Sequence, residues 1–146
     1  MRHRPSCVVR AGVAAGVLSG IPSTTWAVLA GRDPLEAARG AGTLVPGSRR
    51  HGGLAPGLAA HAAVSAVWTA VLAAVLPRHS AVGGAAWGAL AGVAIAAVDL
   101  GVVARRYPAI RALPQAPQWA DHVAFGAVAG AVLGSRPCCP QRRRHP

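Results

Sequence analysis

Lysine and asparagine are absent from this 146-residue chain, and it holds only four acidic residues, one phenylalanine and one tyrosine. With so few large rings a broad aromatic core is excluded, and alanine and valine must fill whatever interior exists. Charged residues make up 13% of the chain against 53% hydrophobic ones, and the mean hydropathy is +0.39. That balance excludes an ordinary soluble domain of this length. The three cysteines, Cys7, Cys138 and Cys139, form no Cys-x-x-Cys pair and have no matching histidine spacing, so no zinc signature exists. They read as unspecific thiols, two of them in an arginine-rich tail.

The formal charge of +11 comes entirely from arginine. The absence of lysine and asparagine, beside abundant Ala, Gly, Pro and Arg, fits a GC-rich coding sequence, so part of the arginine excess is a genomic habit. A nucleic-acid partner is not expected. The arginines lie in the gaps between apolar segments (Arg2, Arg4 and Arg10; Arg32 to Arg50; Arg105, Arg106 and Arg111; Arg136 to Arg144), and no basic helix face emerges. They read as anchors flanking membrane spans, with the lipid bilayer as first partner.

What is present is a stripe of small or polar residues, four apart, in every apolar stretch. The first has Gly12, Gly16, Gly20 and Thr24; the second Gly53, Gly57, His61, Ser65 and Thr69. The third has Gly84, Gly88, Gly92 and Ala96, and the last His122, Gly126, Gly130 and Gly134. Residues four apart share one helix face. In a membrane, small residues at that spacing let helix backbones approach closely, where burial from water no longer drives association. Chance would supply roughly 0.3 Gly-x3-Gly-x3-Gly triplets at this glycine content, and three occur.

These patterns predict an all-α integral membrane four-helix bundle, one domain over residues 1–146, with spans at about 11–31, 57–76, 81–104 and 119–135. The last is the least apolar, so three spans plus a re-entrant or interfacial helix is the alternative. Pro22 should kink the first span, with Ser23, Thr24 and Thr25 supplying hydroxyls to repair the lost bond. A cleaved signal peptide is the rival reading of that segment. A short surface helix is expected at 33–41, with Asp33 as cap, Pro34 in its first turn and Glu36 completing a capping box. Spans two and three should form an antiparallel hairpin. The proline-rich stretch 107–119 reads as loop, and a basic tail follows at 136–146. The two membrane faces carry eight and seven arginines, with a lean toward both termini in the cytoplasm.

Ionisable groups inside spans are costly and face a bundle interior or a cavity. His61, Asp99, Asp121 and His122 all fall toward the membrane face of the two longer loops, as does Thr24, with Ser65 one turn from His61. They predict a polar pocket at one end of the bundle, able to pair a carboxylate with an imidazole. The bland reading is interhelical glue. No metal or other cofactor is expected, and no enzyme activity, since only Ser65 near His61 approximates a nucleophile with a base.

His61-x3-Ser65, Pro77, the glycine-rich third span through Gly88 and Gly92, and the late Asp121-His122-x3-Gly126 element resemble small bacterial multi-pass membrane proteins of the YagU-like kind. The distance from Ser65 to Pro77 is shorter here and the first loop differs. The resemblance implies an inner-membrane protein connected with acid tolerance, without supplying a mechanism. The function expected is a helix-packing or partner-binding membrane subunit, homo-oligomeric or joined to another membrane protein. A proton-coupled carrier or pH-responsive protein using the His/Asp pocket is the alternative.

Overall fold

The computed structural model describes residues 3–48, 52–77, 80–135 and 138, and among these the regular structure is entirely helical. Expectations for the rest, including the tail and Cys139, lie outside the described residues. Helix α1 (Pro5–Leu18) opens with proline in its first turn, where the missing N–H has no intrahelical role. It ends four residues before Pro22, which offers no N–H to the Leu18 carbonyl. Ser19 and Gly20 keep right-handed helical dihedrals, so α2 (Ile21–Leu29) continues the same rod after a break. Gly31, at φ +65°, closes α2: Gly31 N–H donates to Val28 and Arg32 N–H to Ala27, the paired bonds of a left-handed glycine cap.

In the first loop, α3 (Glu36–Ala41) starts later than the capping-box reading predicts. Asp33 accepts from the Leu35 N–H at 2.9 Å and pairs with Arg39, while Glu36 pairs with Arg32 rather than reaching back to a cap. An ion pair within reach of each carboxylate outcompetes the reciprocal cap.

Helix α4 (Leu54–Val75) stops before Pro77, and α5 (Ala81–Gly101) is capped by Ser80, whose Oγ accepts from Gly83 N–H at 3.2 Å. After a 3-10 turn (Val103–Arg106) come α6 (Pro108–Arg111) and α7 (Gln115–Leu133). The stretch expected as loop is therefore partly helical. Pro108 starts α6 and Pro117 sits in the first turn of α7, positions where a proline costs no helix bond. So α7 begins four residues earlier than residue 119.

The most extensive contact is the antiparallel α5–α7 pair; α1 packs on α7 and, less extensively, on α4, which runs antiparallel to it. The α4–α5 hairpin expected from chain order is a weak contact, and α5 packs far more on α7. Glycine explains the choice. A methyl on Gly88 would overlap the Gly126 carbonyl oxygen, one on Gly84 the Gly130 carbonyl, and one on Gly92 the His122 carbonyl. Backbone meets backbone along that seam. In the α1–α4 pair the glycines receive side chains instead: Gly12 faces Thr69 Oγ1, and Gly16 faces Ser65 Oγ, each 3.3 Å from where a Cβ would stand. Gly57 serves α3, since a methyl there would strike the Ala38 carbonyl, and Gly134 lies against the Ser80 carbonyl.

Gly20 breaks the pattern. Within one copy, a Cβ there meets nothing within 4 Å, although the position was expected on a packing face. Gly20→Ala should therefore leave the unfolding midpoint in mild detergent unchanged or raise stability by up to about 1 kcal/mol.

Ala11 and Ala15 of α1, Leu72 of α4, Ile95 of α5, and Phe125, Ala129 and Leu133 of α7 form the core. Three helical segments are long and apolar enough to cross a membrane: Pro5–Leu29, Leu54–Val75 and Ala81–Arg106. They turn Val13, Val17, Val67 and Leu90 outward. Helix α7 is not among them, because Gln115, Gln118, Asp121 and His122 occupy its first half. Yet α7 packs on α1, α2, α4 and α5, and its seam with α5 is the most extensive contact between two helices among the described residues.

Candidate functional site

The seam between α5 and α7 positions the most polar cluster. With Gly92 under the His122 carbonyl, α7 comes close enough for the His122 ring to reach Asp99, two turns further along α5. Asp99 Oδ2 lies 3.3 Å from His122 Nε2 and accepts the Trp68 indole N–H at 3.0 Å. A single carboxylate thus ties α4, α5 and α7 together, with 22% of its side-chain surface exposed. On the other side of the ring, His122 Nδ1–H donates to the Gln118 carbonyl at 2.7 Å. Both ring nitrogens therefore face acceptors. The geometry is fully satisfied when the ring carries two protons and forms an ion pair with Asp99.

Asp121, one residue earlier, points about 100° around α7 toward the break in the first span. Its Oδ1 accepts the Ser23 backbone N–H at 2.9 Å. Ser23 is the third residue of α2, so this N–H is one of those a helix start leaves without an internal partner. From the opposite direction, His61 Nε2–H donates to the Gly16 carbonyl at 2.8 Å, within the last turn of α1. The break is held on both sides, by a donor from α4 on the carbonyl end and an acceptor from α7 on the amide end. Neither contact comes from the hydroxyls expected to repair it. Ser23 Oγ donates to the Gly20 carbonyl at 3.4 Å, a marginal bond, while Thr24 is exposed and joins none of these links.

Five of the six residues expected to line one pocket thus occupy three different settings, and the sixth, Thr24, is exposed apart from them. Asp99 and His122 form a pair with Trp68. Asp121 and His61 clamp the two halves of the first span. Ser65 is buried against Gly16, where its carbonyl accepts from Thr69 Oγ1 at 2.7 Å, and His61 bonds to the Gly16 carbonyl rather than to Ser65. A shallow cleft opens nearby between Ser23, Trp26, Asp33, Glu36 and Pro114, and its walls do not include His61, Asp99 or His122. Among the described residues no group of three or more His, Cys, Asp or Glu side chains is arranged to hold a metal ion.

Trp68 was not anticipated, and Ser23 was expected to act through its hydroxyl rather than as a partner of Asp121. Trp68 lies two turns after His61 on the same side of α4, and a buried indole N–H needs an acceptor, so its register with Asp99 was in principle a signal. Ser23 contributes through its backbone, which no side-chain pattern can flag. The chain matches no family model, and no characterised protein or solved structure is similar to it.

Proposed function

We propose that the chain is a multi-pass membrane protein with four crossing segments, α1–α2, α4, α5 and α7, acting as a non-enzymatic packing subunit in a bacterial cell membrane. The observation that carries this is the use made of the ionisable groups: His61, Asp99, Asp121 and His122 each bond to another helix. Groups so engaged hold a bundle together. The packing of α7 on α1, α2, α4 and α5 supports its counting as a fourth span, since its ionisable residues Asp121 and His122 each bond to a neighbouring helix. The glycine stripes act as packing faces within one copy. Retention of the first segment is part of the reading, because Ala11 and Ala15 belong to the core. The bacterial setting rests on the YagU-like resemblance.

The partner is a second copy of the chain. With the glycine seams occupied internally, the small-residue row left facing outward is Ala62, Ala66, Ala70 and Ala74 on α4, all exposed. Ala66→Phe and Ala70→Phe should turn a multi-copy particle into single copies, counted by native mass spectrometry from mild detergent. The unfolding midpoint should stay unchanged. A wild-type chain that is already single would overturn the self-association.

A second reading, a pH-responsive protein, is favoured by the two acceptors around His122. The charges facing it are Asp99 from α5 and the neighbouring Asp121, with His61 of α4 on the far side of the break. In ¹⁵N-histidine NMR, the His122 ring signals should change as the pH is varied, and Asp99→Ala should alter that change. His122 signals that do not respond to pH in the wild type would sink this reading.

A further inference from the structure

Cys7, in the first turn of α1, is joined by a disulfide to Cys138, just beyond α7, with Cα atoms 5.6 Å apart and a sequence separation of 131. Both are buried, at 4% and 3% exposure. Neither cysteine was expected to have a partner. The bond staples the start of the first helix to the exit of α7, at the end of the molecule where α4 finishes and α5 begins. Disulfides persist in oxidising compartments, whereas cytosolic thiols are kept reduced.

We infer that the end carrying Cys7–Cys138 faces the oxidising, extracytoplasmic side of the membrane, and that the end carrying α3, α6 and the Asp99–His122 pair faces the cytosol. This rests on the membrane reading above and reverses the expected placement of the termini. Charge alone leaves orientation open, at eight arginines against seven; the disulfide decides it. The seven arginines at the proposed cytosolic end lie in the connections between spans, whereas seven of the eight at the other end lie in the terminal segments, so the charge count stays neutral. The chain's redox partner is accordingly an extracytoplasmic dithiol carrier in its disulfide form. One cysteine thiolate attacks the carrier disulfide to give a mixed disulfide and a carrier thiolate. The second cysteine, as thiolate, then displaces the other carrier sulfur. The chain loses two electrons and two protons, and the carrier leaves as its dithiol.

The test uses the full chain in intact cells. Acid quenching with N-ethylmaleimide, then non-reducing digestion and mass spectrometry, should recover a linked Cys7–Cys138 peptide. Separately, Cys139→Ser with Ala112→Cys keeps the native bond and adds one exposed thiol between α6 and α7. That thiol should resist a membrane-impermeant maleimide until the cells are permeabilised. Alkylated Cys7 and Cys138, or a labelled Ala112→Cys thiol in intact cells, would overturn the orientation while the chain stays in the membrane fraction. Release of the chain by alkaline carbonate would instead overturn the membrane reading, and the orientation with it.

Discussion

Gly88→Ala and Gly126→Ala should each cost at least about 3 kcal/mol of stability, at the upper end of what overpacking does. The reason is what an added methyl meets. At Gly88 it meets the Gly126 carbonyl oxygen, and at Gly126 the Gly88 carbonyl. A side chain can rotate out of the way; a helix backbone cannot. The two helices must separate along their length, which also opens the contacts at Gly84–Gly130 and beneath His122. Since one separation accommodates both methyls, the double variant should cost clearly less than the sum of the singles. Unfolding midpoints in mixed micelles measure this, with Gly20→Ala as the internal control. Equal effects at Gly20 and Gly88 would mean that glycine content, not the seam, sets stability.

Asp99→Ala should cost about 2–3 kcal/mol, because it leaves both the Trp68 indole N–H and the His122 ring without their acceptor. Trp68→Phe removes one donor and leaves the carboxylate its other contact, so about 1 kcal/mol is expected, within the range of hydrogen bonds between membrane helices. Asp99→Asn retains an acceptor for the indole and loses the charge opposite His122, placing it between the two. A double-mutant cycle should give Trp68 and Asp99 a coupling of about 0.5–1.5 kcal/mol. Thermal unfolding of the four proteins in the same detergent supplies the cycle. Zero coupling would show that the indole and carboxylate are neighbours without an energetic link.

Helix α7 carries the most instructive difference between sequence and structure. Its polar first half made it the weakest of the four candidate spans. In the structure Asp121 and His122 bond to α2 and α5, so the most polar of those residues are satisfied by neighbouring helices. Local hydropathy cannot separate a poor span from an interior one, since that depends on what lies around it. The proline-rich stretch before α7 misled for a related reason: Pro117 breaks a helix interior but suits a first turn, and only the helix start distinguishes the two.

The amino-acid pattern by itself determined that the described residues are helical, where small residues recur four apart along the apolar helices, and which ionisable side chains lie within them. Those are properties of single helices, set by period and residue size. Only the tertiary structure decided that α5 seats on α7 rather than on α4, that a side chain at Gly20 would meet open space, and that His61 and Asp121 hold the two sides of the Pro22 break. It likewise paired Cys7 with Cys138. Each of these needs two segments brought together from far apart in the chain, 131 residues apart for the cysteines. A four-residue stripe states that a face can be approached closely; it carries no term for which other face arrives, and that choice belongs to the complementarity of whole surfaces.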